Sequence, residues 1–341
     1  MLDSGAHGSV VNAAVADALR LPKGRAGQSF GAGGPAEARE IAGVTLEVGG
    51  ARLERRTVSA LDLRPLENNT GRALEGILGS DLFQRYVVQI DYETRMIDLY
   101  EPAAFDARGR GESLPLTFHH NHPYVRAKVT LPGHDPFDDE FVLDLGSNLP
   151  LILLPSFIEK KNIRGSLPPT LETFGRGVGG EVGLPMGRAS RLQIGGFSLD
   201  GPVTAFPRSG TFGRTGKAGN IGSAVLRRFR VTFDYPGKRV ILEPNGRFGD
   251  PFEHDMSGMQ LTSESPGFDV VRVTRVLRDS PAAEAGIRQS DEILSIAGRP
   301  SKGMRLAELR EMFRQPGRQY SLEIKRGGER ISVELKPRRL L

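Results

Sequence analysis

Residues 140–147, EFVLDLGS, decide the fold when they are compared with residues 1–6, MLDSGA. Each stretch contains an Asp-x-Gly turn: Asp3 and Gly5 form the first, and Asp144 and Gly146 form the second. A single Asp-x-Gly is common in proteins, so either match alone indicates little. The residues that follow each turn carry the interpretation.

The same motifs follow both turns in the same order. The first copy has FGAGG at 30–34, VGG at 48–50 and GILG at 76–79, and the second has FGRGVGG at 174–180, IGG at 194–196 and GNIG at 219–222. Matched positions are separated by about 140 residues, whereas solenoid repeats run roughly 20 to 50. The chain therefore contains two copies of a whole domain.

The composition and the local patterns predict a mainly β protein. The chain has 43 Gly and 23 Pro in 341 residues, and apolar residues alternate with polar ones in runs such as 44–48 and 191–194. Each copy ends in a predicted hairpin, at 86–100 and 229–244, with turns at Glu93-Thr94 and Pro236-Gly237. Short strands joined by turns are expected throughout both copies.

Several classes of function are excluded or disfavoured by composition. The chain has no Cys, which excludes disulfides, thiolate metal sites and Cys nucleophiles. There is no apolar run of about 18 residues, so we expect no membrane span in this chain. The net charge of +5 arises entirely after residue 255 and is diffuse, so we expect no nucleic-acid partner.

Two other patterns lack the spacing that a binding site requires. His119, His120, His122 and His134 lack the spacing of a metal-ligand pair, so we expect no metal and no cofactor. The stretch around Gly210 narrowly resembles a phosphate loop, but its glycine spacing is one residue too long and no Ser or Thr follows Lys217.

The duplicated turns predict a specific chemistry. Two carboxyls presented by duplicated lobes can face each other across a pseudo-twofold axis, where they cannot both ionise and must share a proton. One carboxylate can then activate a water molecule while its protonated partner polarises a peptide carbonyl. Gly at the third position of each turn lets the backbone approach the pair closely.

From Asp3 to about Leu99 the chain resembles a subunit of the retropepsin-type aspartic proteases, and the second copy repeats the same plan. The resemblance implies that Asp3 and Asp144 are the catalytic dyad. It implies that the residues supporting the dyad are Ser4, Gly5, Gly146 and Ser147. It implies two mobile flaps that close over an extended peptide, containing Phe30, Gly31, Gly33, Gly34, Phe174, Gly175 and Gly177.

The chain departs from this family in two places. The residue after each Asp is usually Thr or Ser, and Leu145 has no hydroxyl to brace the opposite lobe as Ser4 does. About 20 residues that read as a hairpin precede Asp144, whereas only two residues precede Asp3. We therefore expect the chain to be an N-terminally truncated form of a longer protein. Its compartment is periplasm or cell envelope if a signal peptide lies upstream, and cytoplasm otherwise.

The C-terminal residues resemble a PDZ domain, through SPAAEAGI at 280–287, DEILSIAGR at 291–299 and RLAELREMF at 305–313. The resemblance implies an α+β fold that binds peptides or protein C-termini by strand addition. The residues expected to bind that peptide are Pro266, Gly267, Phe268, Asp269, Val270, Leu306 and Leu309.

The sequence thus predicts a mainly β chain of two tandem retropepsin-like lobes with closed or orthogonal sheets, followed by a PDZ-like α+β domain. The expected domains are residues 1–104, 112–250 and 256–341. The expected function is that of an aspartic endopeptidase whose PDZ module recruits polypeptide substrates. The alternative is a catalytically inactive scaffold that binds peptides through the same fold.

Overall fold

The protein is described from a computed structural model that covers residues 1–208 and 217–341. The fold is mainly β, as the sequence predicts. The stretch around Gly210, which narrowly resembles a phosphate loop, includes residues 209–216, and these lie outside the described residues. Among the residues described, no helix is long and apolar enough to cross a lipid bilayer.

The first lobe contains one sheet and three short helices. Its elements are β1 (Val10–Asn12), α1 (Ala13–Ala18), β2 (Arg25–Gly31), β3 (Gly34–Val48), β4 (Ala51–Leu61), α2 (Arg64–Thr70), β5 (Gly76–Ile77), α3 (Ser80–Arg85), β6 (Val87–Asp91) and β7 (Met96–Tyr100). A 3-10 turn, Pro102–Ala104, ends the lobe. The sheet has the order β2-β3-β4-β1-β5.

The second lobe has more strands, because β8, β9 and β10 lead up to Asp144 while no strand precedes Asp3, and because shorter strands stand in place of the long β3 and β4. Its elements are β8 (Glu112–His119), β9 (His122–Thr130), β10 (Phe137–Asp144), β11 (Leu151–Leu153), α4 (Pro155–Lys160), β12 (Phe174–Gly177), β13 (Gly180–Gly183), β14 (Met186–Arg188), β15 (Arg191–Ile194), β16 (Phe197–Asp200), β17 (Val203–Ala205), β18 (Gly219–Gly222), α5 (Ser223–Leu226), β19 (Phe229–Asp234) and β20 (Arg239–Pro244). A 3-10 turn spans Arg164–Ser166.

The topology of the two lobes confirms the duplication. Strand β1 pairs in parallel with β4 and antiparallel with β5. In the same way, β11 pairs in parallel with β17 and antiparallel with β18. The repeated motifs therefore mark corresponding strands, with GILG and GNIG on β5 and β18.

The lobes share one continuous sheet. Near one end of this sheet β6 pairs antiparallel with β19, and each carries its own hairpin partner, β7 or β20. The buried Gln89 side chain donates to the hydroxyl of Thr232 across this junction, at 3.1 Å. Because β6 and β7 join the strands of the second lobe, the described sheets stay open, and the expectation of closed sheets is wrong. The three domain boundaries stay a prediction.

The two hairpins end in equivalent turns. Asp91 accepts from the backbone N–H groups of Glu93 and Thr94, and Asp234 accepts from the N–H of Gly237. A carboxylate that caps its own turn in this way fixes the turn without tertiary help. The predicted turns at both hairpins are therefore confirmed.

The C-terminal domain has its own core of apolar side chains, separate from the core of the lobes. Its elements are β21 (Met259–Ser263), β22 (Val271–Val276), α6 (Pro281–Glu284), β23 (Glu292–Ile296), β24 (Arg299–Pro300), α7 (Leu306–Met312), β25 (Tyr320–Arg326) and β26 (Glu329–Leu335). The strand order is β21-β22-β23-β25-β26, which leaves β21 at one edge.

The segment that leads into this domain is held by Arg228. Its guanidinium donates to the backbone carbonyls of Arg247, Phe248, Asp250 and Pro251, and it lies 3.6 Å from the centre of the Phe252 ring. Burial lowers the pKa of Arg228 to about 10, so the side chain stays charged near neutral pH. One buried cation thus fixes the course of residues 247–252.

We predict that Arg228→Ala lowers the free energy of unfolding by at least about 2 kcal/mol, because it leaves several carbonyls without a donor. Arg228→Lys should restore little, since an ammonium cannot reproduce the fork of the guanidinium. Urea denaturation measures the loss, and limited proteolysis should cut both variants near residues 247–252. Wild-type stability in Arg228→Ala would show that the cage of carbonyls is not needed.

Candidate active site

Strand pairing places the two predicted aspartates at equivalent positions. Asp144 is the last residue of β10, and β10 pairs in parallel with β18, setting Asp144 beside Gly222. Residues 1–3 take the corresponding place in the first lobe, where Leu2 bridges Leu78 in parallel and the Asp3 N–H donates to the Leu78 carbonyl at 2.9 Å. Each Asp therefore emerges at the end of a parallel pair.

Each carboxyl lies against the glycine of the opposite turn. A Cβ at Gly5 would lie 2.7 Å from Asp144 Oδ1, and a Cβ at Gly146 would overlap the carboxyl of Asp3. The same glycines also donate their N–H groups to the aspartates of their own turns, at 2.8 and 2.9 Å. The structure thus brings the two predicted Asp-x-Gly turns face to face.

The brace between the turns is one-sided. The hydroxyl of Ser4 donates to the Leu143 carbonyl at 2.6 Å and accepts from the Leu145 N–H at 3.0 Å. Ser4 is fully buried, so these bonds are shielded from water. Leu145 has no hydroxyl to return the contact, as its sequence predicts. In the second lobe Ser147 supports its own Asp instead, donating its N–H to Asp144 at 3.1 Å.

Burial raises the pKa of both aspartates. For Asp3 the charge of Asp144 adds to the effect of burial, and the pKa rises to about 7. For Asp144 the pKa is also raised by burial, but a hydrogen bond from Asn220 opposes that rise. Both carboxyls therefore ionise less readily than an exposed aspartate does.

Sequence reasoning missed two side chains at this site. Asn220 Nδ2 donates to Asp144 Oδ2 at 2.8 Å, and His122 faces the same carboxyl from β9. The pKa of His122 is lowered by burial and by the neighbouring His7, which favours a neutral ring. A comparison of GILG with GNIG could have singled out Asn220, since the polar residue stands where the first copy has Ile77.

The predicted flaps are two hairpins that meet tip to tip. One is formed by β2 and β3 and the other by β12 and β13. The Gly33 N–H donates to the Val178 carbonyl at 2.9 Å, and the predicted flap residues Gly31, Gly34, Gly175 and Gly177 lie on the paired strands. Below them is a cavity of about 1330 Å³ that reaches both aspartates. Such a space is large enough for an extended peptide.

Comparison with known families gives two matches. Residues 1–82 match the family model described as "Aspartyl protease", and residues 256–336 match the model described as "PDZ domain". The N-terminal part of the chain is thus similar to an aspartyl protease domain, and its C-terminal part matches a PDZ domain. No curated protein sequence matches the chain significantly.

Solved structures give partial overlaps. A retropepsin-like aspartic protease from Rickettsia conorii is 17% identical, with a TM-score of 0.28 over 38% of this chain and 88% of that one. The HtrA3 PDZ domain bound to a phage-derived ligand is 24% identical, with a TM-score of 0.21 over 24% of this chain and 81% of that one. The chain spans 23% of the photosystem II D1 C-terminal processing protease, at 20% identity.

The PDZ domain contacts the flap of the second lobe. Arg275 on β22 donates to Glu181 at 2.9 Å and stacks over the ring of Phe174 at 3.6 Å. Gln260 on β21 donates to the Phe174 carbonyl at 2.7 Å. The matched residue of the other flap, Phe30, is 68% exposed. The two flaps therefore differ: Phe174 of the second flap is covered by the PDZ domain, whereas Phe30 of the first flap is exposed.

The loop predicted to bind a peptide in the PDZ domain does not lie beside a free strand edge. The loop of Pro266, Gly267, Phe268, Asp269 and Val270 folds back on itself, with the Phe268 N–H donating to the Glu264 carbonyl at 2.8 Å. It leads into β22, which pairs with β21 on one side and with β23 on the other at residues 271–272. A peptide strand cannot add where both sides are already paired.

The structure offers the edge strand β21 instead. Residues 259–262 of β21 line the cavity that contains the dyad, and so does Arg310 of α7. Leu306 and Leu309, predicted to contact the peptide, are fully buried in the PDZ core. Arg310 also donates to the carbonyls of Leu261 and Asn69, both at 2.9 Å, and so links β21 to the end of α2.

We predict that Gly5→Ala and Gly146→Ala each force the two turns of the protease domain apart. The added methyl overlaps the opposite carboxyl, and overpacking of this kind costs about 1–3 kcal/mol. Gly8→Ala is the matched control, because a Cβ there meets nothing within 4 Å. Thermal unfolding should show a lower Tm for the first two variants only. Equal Tm values for all three would contradict the close approach.

We also predict that Arg275→Ala loosens the flap that the PDZ domain holds. The variant loses an ion pair and a cation–π contact, so amide exchange at residues 174–183 should accelerate. Arg278→Ala removes an exposed Arg of the same domain and serves as the control. Hydrogen exchange followed by mass spectrometry measures both. Unchanged exchange in Arg275→Ala would show that the flap is held by other contacts.

Proposed function

We propose that the chain is an aspartic endopeptidase that cleaves polypeptides with water activated by Asp3 and Asp144. The observation that carries this proposal is the placement of each carboxyl against the glycine of the opposite turn, at the floor of a cavity closed by two flaps. The matched protease and PDZ families support hydrolysis and peptide binding in general. The aspartic mechanism is the proposal.

In this mechanism the two aspartates have different tasks. Asp144, as the carboxylate, takes a proton from water, whose oxygen forms a bond to the peptide carbon. Asp3 gives its proton to the carbonyl oxygen, so no unpaired oxyanion forms. Asp144 then passes its new proton to the nitrogen as the C–N bond breaks, and Asp3 regains a proton from the diol as the acid product forms.

The PDZ domain is proposed to hold part of the same polypeptide at the edge of β21. A peptide added there would extend the PDZ sheet and lie in the cavity that contains the dyad. Arg310 borders this edge and suits a carboxylate-bearing segment. Recruitment and cleavage would then act on one bound chain.

A second candidate function is peptide binding without cleavage. The observation that favours it is the missing hydroxyl at Leu145, because a dyad braced from one side only is held less rigidly. Both functions predict that unstructured polypeptides bind in the cavity. Only the endopeptidase predicts new peptide termini.

Asp144→Asn should bind an unstructured protein and leave it intact. An amide cannot accept the proton of the attacking water, so the rate of cleavage should fall by at least a factor of about 1000. Asp139→Asn, at an Asp of the same strand far from the dyad, is the matched control. Mass spectrometry of the products measures cleavage, and equal cleavage by wild type and Asp144→Asn would assign it to a contaminant. Binding without cleavage by the wild type itself would support the second candidate.

The pH dependence follows from the raised pKa values. Asp3 must hold its proton, so activity is present at acidic pH and is lost as the pH rises through about 7. Asp144 must be ionised, so activity is also lost at low pH, at a higher value than an exposed aspartate gives. Cleavage rates measured from pH 3 to 9 should form a bell. A rate that keeps rising above pH 8 would contradict this assignment.

A further inference from the structure

The surroundings of the two aspartates differ at one position of the repeated glycine motif. In the parallel pairing before each Asp, Leu78 lies opposite Leu2 and Ile221 lies opposite Leu143. Ile77 and Asn220 are the residues just before Leu78 and Ile221. Asn220 and Ile77 therefore occupy matched positions beside the two aspartates. Ile77 is buried among apolar side chains, whereas Asn220 reaches the dyad.

Strand register explains why Asn220 reaches Asp144. In the parallel pair of β10 and β18, Asn220 lies opposite Val142 and Gly222 lies opposite Asp144. Side chains two residues apart share one face of a sheet, so Asn220 is on the same face as Asp144. Its Nδ2 donates to Oδ2 at 2.8 Å, while Oδ1 accepts from the N–H groups of Gly146 and Ser147. Both oxygens of Asp144 thus have donors.

The geometry points to Asn220 as the positioning residue that makes Asp144 the carboxylate and leaves the shared proton on Asp3. An amide N–H can only donate, so its bond to Oδ2 favours a charged acceptor and disfavours a proton on that oxygen. Within residues 1–208 and 217–341 the donors to Asp3 are backbone N–H groups, and the matched position holds Ile77, which has no amide to offer. The inference rests on the proposed function and adds how the two roles are assigned.

The other groups that face Asp144 do not determine which of the two aspartates is charged. They are Asp3, which shares the proton, His122 on β9, and Tyr235, which follows β19. Burial lowers the pKa of His122, which disfavours a charged ring, and it raises that of Tyr235, which keeps its phenol proton. Asn220 is a side-chain donor to Asp144 whose counterpart in the first lobe, Ile77, cannot donate.

The test exchanges the matched residues. Asn220→Ile gives the second lobe the side chain of the first, and we expect the acid limb of the pH–rate profile to move up by about one pH unit. Ile77→Asn offers Asp3 the equivalent donor, and the alkaline limb should move down. Asn220→Thr keeps a donor and should shift the acid limb less than Asn220→Ile. Circular dichroism and gel filtration establish that each variant is folded.

A direct titration separates this inference from the proposed function. The protein labelled with ¹³C at the Asp carboxyls is titrated by NMR, and Asp144→Asn identifies the resonance of Asp144. Asn220→Ile should raise the midpoint of that resonance by about one pH unit whether or not the protein cleaves peptides. An unchanged midpoint overturns the role of Asn220. Absence of cleavage by wild type, with the shifted midpoint present, overturns only the proposed function.

Discussion

The structure depends on holding two like-charged carboxyls against each other. Such a pair repels when both groups are ionised, and burial raises the cost further. The chain offsets this cost with backbone donors from Gly5 and Gly146, and the raised pKa values of the two carboxyls favour their protonated forms. The shared sheet, the Ser4 brace and the flaps all serve to keep this close approach. The rest of the fold must therefore hold together two groups that repel each other when both are ionised.

Much of the fold could be predicted because the motifs that indicate it occur twice in the sequence, in the same order. The Asp-x-Gly turns, the flap glycines and the hairpins around Asp91 and Asp234 are local features, and each is fixed by residues adjacent in the chain. The pairing of β6 with β19 was not predictable, since it joins strands that lie in different copies of the repeat. Nor was the open sheet that results from it.

The site shows the same division between local and long-range information. Asp3 and Asp144 were predicted from their turns, but Asn220 meets Asp144 only through the register of β10 and β18. In the PDZ domain the loop of residues 265–270 looked suitable by composition, yet strand order decides which edge is free. Composition could not reveal that β22 is an interior strand. Contacts such as Arg275 with Phe174 lie between domains and left no pattern in the sequence.

The sheet that the two lobes share also affects how the protein folds during its synthesis. Strand β6 is complete at residue 91, but its partner β19 begins only at residue 229, so the ribosome must add well over a hundred residues before the two can pair. Pairing over such a separation is late and slow. A nascent chain shorter than 144 residues therefore carries Asp3 without Asp144, the carboxyl that faces it in the folded protein. The close approach of Asp3 and Asp144 is therefore complete only after the second lobe has been synthesised and has folded.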